Sequence, residues 1–321
     1  MNKHTLNLPR CLLLLPLLFF LSCQKDIEVK LPEAKEKICV EGKIEPGLPP
    51  FVILTHNIPY FGTIDLNNLP NLFVHNAIVK ISNGTATATM TEYCSQSLPD
   101  SILPIVAAFT GVDTASLKSF NYCLYTTFNT ALWGSVGVTY DLTIDAEGKS
   151  LSSSTSILNP VPLDSVWYKY IKVNASGDSL GYIFAHLTDP AAEDNYYRWL
   201  AMREGKDYSF VAPIGSVFDD KFINGQSFDF GYNRGSVPNS TAEDDNNEEE
   251  GYFKIGDTVI IKYCTIDHAS FDFFRQVDVA VYSQGNPFAA PSSVPTNVYP
   301  RDQALGLWCG YGTFMDTVIL K

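Results

Sequence analysis

Apolar and polar residues alternate over short stretches through most of the chain, which is the pattern of β-strands. In the first stretch Ile38, Val40 and Ile44 share one face, and Glu41 and Lys43 share the other. Similar stretches follow, separated by turn residues, at 51–55, 77–81, 85–91, 136–144, 166–173, 181–187, 196–202, 258–266 and 314–320. Many short strands joined by turns predict an all-β (mainly β) fold of two β-sandwich-like domains, of immunoglobulin or transthyretin type.

Two parts of the chain depart from this pattern and predict helices. Residues 94–135 form an irregular insertion, in which 103–109 and 114–120 are expected as short helical turns, the second capped by Asp113. Near the C-terminus, apolar residues after Asp267 repeat at steps of three and four, which predicts one short helix in the second domain.

A proline-rich segment at 157–162 divides the two groups of strands. Each proline removes a backbone donor and stiffens the chain, so this segment is a poor strand and a good linker. We therefore expect an N-terminal β-sandwich at 38–156, which contains the insertion, and a C-terminal β-rich domain at 163–321.

Residues 1–22 have the pattern of a signal peptide, with Lys3 and Arg10 before an apolar run that ends at Leu21. At 1.5 Å per residue this run covers about half of a ~30 Å hydrocarbon core, so it is too short to span a bilayer as a helix. Its end, Leu21-Ser22-Cys23, resembles the lipobox of bacterial lipoproteins. That resemblance implies a fatty-acylated Cys23 at the start of the mature chain, and the alternative is an ordinary secretory signal with Cys23 free.

The residues after Cys23 bear on location. Gln24, Lys25 and Asp26 resemble the short charged export tag of Bacteroidota lipoproteins. This resemblance implies a lipid-anchored protein on the outer surface of the outer membrane, with the periplasmic face as the alternative. Residues 23–37 are polar and charged and are expected to form a tether.

Charge excludes one class of partner. The chain has 22 basic and 35 acidic side chains and a formal net charge of −13. A protein of that sign repels phosphate backbones, so nucleic acid is not an expected partner.

Cysteine positions suggest disulfides, which persist in the oxidising compartments that receive exported proteins. Cys94 and Cys123 are the preferred pair because they bracket the insertion, and Cys264 with Cys309 is a second candidate. With Cys11 in the signal peptide and Cys23 acylated, five cysteines remain. An odd number leaves at least one of them without a partner in the chain.

Catalytic signatures are missing from the sequence, which contains no GxSxG, HExxH, P-loop or Rossmann glycine pattern. We therefore expect neither an enzyme nor a cofactor.

Tyr197, Arg198 and Trp199 form a candidate ligand-binding group, because aromatic rings and a guanidinium stack on sugars or peptides. Alternation places Tyr197 and Trp199 on one strand face and Arg198 on the other, so one face is expected to be core.

Asp219, Asp220 and Asn224 form a candidate calcium site, because this cation prefers carboxylate and carbonyl oxygens. The competing interpretation is a turn between strands, in which short polar side chains bond to the backbone.

Several short segments, taken in order, resemble a known family. They include Val40-Glu41-Gly42, Asp194-Asn195-Tyr196-Tyr197-Arg198-Trp199, Gly256-Asp257-Thr258-Val259 and Asn286-Pro287-Phe288. The family is domain of unknown function 4249, a set of Bacteroidota lipoproteins. The resemblance implies a β-rich outer-membrane lipoprotein, often encoded beside TonB-dependent receptors, and it brings no catalytic residues.

From that resemblance we expect a non-catalytic binding or accessory lipoprotein, whose partners are the membrane and a TonB-dependent receptor. One alternative is a surface hydrolase of unfamiliar type that uses the carboxylate pair Asp219 and Asp220. Another is a structural or adhesive surface protein, which exposed aromatic patches would mark.

Overall fold

The computed structural model describes residues 35–57, 72–192, 194–236, 248–283 and 293–321. The chain divides into two compact units, Met1–Lys35 and Glu36–Lys321. The signal peptide, Cys23 and the export-tag residues Gln24, Lys25 and Asp26 lie outside the described residues. Among those described, no helix is both long enough and apolar enough to cross a membrane.

The described part of the second unit contains seventeen strands and three α-helices. The strands are β1 Ile38–Ile44, β2 Phe51–His56, β3 Ile78–Ser82, β4 Thr87–Thr89, β5 Thr91–Cys94, β6 Cys123–Thr126, β7 Thr139–Ala146, β8 Lys149–Ser156, β9 Ser165–Val173, β10 Ser179–Thr188, β11 Tyr196–Arg203, β12 Val217–Asp219, β13 Ser227–Tyr232, β14 Phe253–Lys254, β15 Thr258–Ile266, β16 Ala304–Gly310 and β17 Gly312–Ile319. The helices are α1 Leu103–Thr110, α2 Thr114–Phe120 and α3 His268–Ser283.

These strands form four sheets, which confirms the predicted mainly β, sandwich-like fold. Sheet 1 has the order β16-β1-β2-β6-β5, and sheet 2 contains β13, β10 and β14 with β9 paired to β10. Sheet 3 has the order β12-β11-β15-β17, and sheet 4 has the order β4-β3-β7-β8.

The two largest hydrophobic cores among the described residues lie between pairs of sheets. Sheets 1 and 4 enclose the first, in which Val40 and Leu54 pack with Ile81 and Leu142. Sheets 2 and 3 enclose the second, which contains Ile183 and the aromatic side chains Tyr197, Trp199, Tyr232, Phe253 and Tyr263. In both cores the buried residues come from alternate strand positions, as the sequence pattern predicts.

Sheet 1 joins strands from opposite ends of the chain. Strand β16 runs parallel to β1, with Ile38 beside Ala304 and Ile44 beside Gly310. Gly42 makes room for this pairing, because a Cβ atom there would lie 2.6 Å from the ring of Trp308. One sheet therefore contains residues from both sides of the segment 157–162, and a domain boundary there stays a prediction.

The three predicted helical segments are helices in the structure. The Asp113 carboxylate accepts the Ser116 backbone N–H at 2.9 Å and caps α2. Asp267 does the same for α3, accepting from Ser270 at 2.8 Å. Each cap satisfies a backbone donor that a helix leaves free at its first turn.

The disulfide between Cys94 and Cys123 is confirmed, and it joins directly opposite residues of β5 and β6. The second candidate was wrong, because Cys264 and Cys309 are separate thiols. Cys264 belongs to sheet 3 and lies 3.9 Å from the Thr313 hydroxyl, whereas Cys309 belongs to sheet 1. Burial raises the pKa of both thiols, to about 11 for Cys264, so both stay protonated.

Candidate functional site

A cavity of about 1040 Å³ lies between the outer faces of sheets 1 and 3, outside both cores. Strand alternation builds it: in β1, Val40 and Ile44 enter the core while Glu41 and Lys43 turn to the cavity. On the opposite side, Arg198 of β11 faces the cavity in the same manner. Helices α1 and α3 complete the wall.

Most of the cavity wall is apolar, and eight aromatic rings contribute to it. Apolar walls with a few polar groups are the usual composition of small-molecule sites. The rings belong to Phe51, Phe73, Phe109, Tyr122, Phe210, Phe273, Phe274 and Tyr311.

The insertion 94–135 supplies one side of this wall. Its helix α1 places Phe109 edge-on to Phe51, with the ring centres 6.3 Å apart. Tyr122 similarly meets Phe73 at 5.1 Å. The disulfide closes the insertion at its base, so it fixes the segment that carries these rings. Sequence reasoning identified the disulfide and the helices but not this role, because no local pattern shows which surface an insertion covers.

A buried ion pair connects the two sheets at the cavity. The Lys262 ammonium of β15 contacts the Glu45 carboxylate, which follows β1, and both residues are only 7% exposed. Lys43 lies 3.5 Å from the same carboxylate. Burial alone would raise the pKa of Glu45, but the two lysines outweigh it and lower that pKa. The Glu45 carboxylate therefore stays ionised, and its contact with Lys262 links sheet 1 to sheet 3.

Arg198 is held by aromatic groups on its own side of the cavity. Its guanidinium carbon lies 3.4 Å from the centre of the Phe274 ring, and its Nη1 donates to the Tyr311 hydroxyl at 2.5 Å. Cation–ring contacts of this kind stabilise a desolvated guanidinium. Arg198 thus forms a fixed positive group in the wall.

Glu41 differs from these groups because its carboxylate has no hydrogen bond or ion pair among the described residues. The side chain is exposed to the cavity, and its strand neighbours are Ile53 and Leu307. Burial by the surrounding protein raises the pKa of Glu41, and the charges of Lys43 and Arg198 offset this only in part. The cavity therefore contains a carboxylate that the described protein groups leave unpaired.

The predicted aromatic ligand-binding group is split by the strand. Tyr197 and Trp199 are fully buried in the second core, where Trp199 stacks on Tyr232 at 4.5 Å. The Tyr197 hydroxyl donates to Asp189 at 2.5 Å. These two rings are closed off from any ligand, which corrects the expectation for them. Of the three residues, only Arg198 lines the cavity.

The candidate calcium residues do not line this cavity. Asp219 ends β12, and Asp220 is buried and accepts from the Asn195 side chain at 3.0 Å. The backbone N–H of Ile223 donates to the Asp220 carbonyl at 2.8 Å, which makes the segment a turn. The Asn224 side-chain oxygen is buried without a hydrogen-bond partner. Calcium binding here stays a hypothesis.

Two other groups of side chains bring metal-ligating atoms together among the described residues. One contains His75 and Glu92 beside the disulfide of Cys94 and Cys123, where both sulfurs are already bonded to each other. The other contains Glu36, His56 and Glu147. In that group Glu36 lies 3.0 Å from one ring nitrogen of His56, and Glu147 lies 3.2 Å from the other.

The fold and the cavity define a mainly β protein with a partly open cavity that aromatic rings help to line. A family described as Domain of unknown function (DUF4249) matches residues 24–316, and the chain belongs to that family. A comparison with curated proteins finds no match to the chain.

Proposed function

We propose that this protein binds a small molecule in the cavity between sheets 1 and 3 and does so without catalysis. The cavity carries the proposal. Its volume of about 1040 Å³ is slightly above the range of roughly 300–1,000 Å³ that small-molecule sites occupy. Apolar walls of this extent favour a ligand that displaces water from them, because removing apolar surface from water is favourable.

The proposed setting is a lipid anchor at Cys23 on the outer membrane, exposed at the cell surface. Two sequence features support it: the short apolar run before Cys23 and the charged residues after it. The family match begins at Gln24, which agrees with a mature chain that starts at Cys23. A Bacteroidota lipoprotein of this kind would work beside a TonB-dependent receptor, to which it would present its ligand.

Cavity filling tests the binding proposal. The lipid-free mature chain, residues 24–321, retains the whole compact unit Glu36–Lys321 and is titrated with the neutral fluorescent dye Nile red. Leu200→Trp places an indole ring in the cavity, where it should fill space and abolish dye uptake. The matched control is Ile319→Trp, on an exposed position of the same sheet, and it should bind like the parent. Equal uptake by both variants, or none by the parent, would contradict binding in this cavity.

Acylation and location have separate tests. Labelled palmitate should enter the parent protein and not Cys23→Ala, and only the parent should sediment with outer membranes. Protease added to intact cells should digest the anchored protein if it faces outward. Crosslinking in those membranes should recover an outer-membrane receptor. A parent protein that takes up no label and washes off in salt would overturn the anchor.

A further inference from the structure

Five charged side chains line the cavity, and their partners indicate what kind of ligand it accepts. This inference rests on the proposed binding function and specifies the ligand's chemistry. The five are Glu41, Lys43, Glu45, Arg198 and Lys262.

Four of the five contact a charged group, an aromatic face or a hydroxyl of the protein. Glu45 is shared by the two lysines. The Lys43 ammonium also lies 4.9 Å from the centre of the Phe51 ring, and the Lys262 ammonium lies 5.1 Å from that of Phe210. Arg198 contacts Tyr311 and Phe274, and its Nε–H is buried without a hydrogen-bond partner among the described residues. Each cation therefore has a carboxylate, an aromatic face or a hydroxyl as its partner.

Glu41 is the exception. It lies in the middle of β1, at the wall of the cavity, between Ile53 on one neighbouring strand and Leu307 on the other. These apolar neighbours offer its carboxylate no hydrogen-bond donor. Water can hydrogen-bond to the carboxylate while the cavity is hydrated. An apolar ligand would expel that water and leave the buried charge unpaired, which is unfavourable.

We infer that the ligand carries an ammonium group on an apolar body, and that this group pairs with the Glu41 carboxylate. An ammonium restores the interaction that the expelled water provided, and aromatic walls also favour cations through their ring faces. A ligand carboxylate would meet Glu41 as a like charge. A neutral apolar ligand would leave Glu41 desolvated.

Three probes of equal chain length separate these cases: n-decylammonium, n-decanoate and n-decanol. Each is titrated calorimetrically into the lipid-free mature chain at neutral pH. We expect decylammonium to bind roughly tenfold more tightly than the other two, the effect of one partly buried ion pair. Glu41→Gln, which keeps the shape and removes the charge, should abolish that preference without abolishing decanol binding.

Glu204→Gln is the matched control, because it makes the same change at an exposed site outside the cavity. It should retain the preference for decylammonium. Tighter binding of decanoate, equal binding of all three probes, or an unchanged preference in Glu41→Gln would overturn the inference while leaving the binding function intact. Failure of every probe to bind would instead count against the proposed function.

Discussion

Aromatic rings lie opposite both faces of strand β11, but only one face is packed in a core. On the core face, Tyr197 and Trp199 are fully buried and pack on rings from sheet 2 and from their own sheet. On the other face, Arg198 and Leu200 border a cavity of about 1040 Å³ whose wall is also rich in rings. Aromatic residues alone therefore do not mark a ligand site. What differs is whether another surface of the protein fills the space opposite.

The largest effect is expected on the core face. Trp199→Ala removes a fully buried indole that stacks on Tyr232 at 4.5 Å, and should lower the free energy of unfolding by roughly 3–5 kcal/mol. Phe210→Ala, at the cavity wall, should cost much less because its ring is only partly buried. Urea unfolding measures both changes. Equal losses would mean that the two faces are packed alike.

The next effect concerns the insertion. Replacing Cys94 and Cys123 together by serine opens a loop closed over a sequence separation of 29, which should cost roughly 3–4 kcal/mol on the chain-entropy model. Because the insertion carries Phe109 and Tyr122 to the cavity, Nile red uptake should fall as well. Loss of stability with unchanged dye uptake would show that the disulfide does not hold the wall.

The buried ion pair should give a somewhat smaller loss. Lys262→Met leaves the Glu45 carboxylate buried with Lys43 alone, and should cost about 3 kcal/mol at neutral pH. The folded-state pKa of Glu45 lies below its usual value, so the pair's contribution is present above that usual value and is lost as pH falls through the lowered pKa. The loss in free energy of unfolding caused by Lys262→Met should therefore be smaller in acid. Adding Glu45→Gln should recover part of it at neutral pH.

The smallest effect has the opposite sign. The folded-state pKa of Glu41 is raised, so its contribution to stability is present below the usual carboxylate pKa and is lost as pH rises through the raised pKa. Glu41→Gln should thus stabilise the protein at neutral pH, by roughly 0.5 kcal/mol after allowance for water in the cavity. The gain should vanish in acid, and Glu204→Gln should show none. A stabilising change that weakens ligand selection is typical of functional sites.

Much of the fold could be predicted from local patterns. Alternation located most strands, and the capping residues Asp113 and Asp267 marked two helix starts. The pairing of β1 with β16 could not be predicted, because nothing in Ile38–Ile44 identifies a partner so distant in sequence.

The candidate site was harder to predict for the same physical reason. Glu41 appeared in the sequence only as the polar side of a strand, where water is the ordinary neighbour. Its significance depends on sheet 3 and α3 covering that side, which is a tertiary event. Tyr197 and Trp199 drew attention by residue type, and the surface opposite them decided their role instead.

The parallel pairing of β1 with β16 has a consequence for how the protein is made. Strand β1 leaves the ribosome long before β16, which is one of its two neighbours in the sheet. Until β16 has been made, one edge of β1 therefore has no partner, and open strand edges favour association with other chains. A truncated chain that lacks its last eighteen residues or so would keep every residue of β1 and still be unable to finish sheet 1.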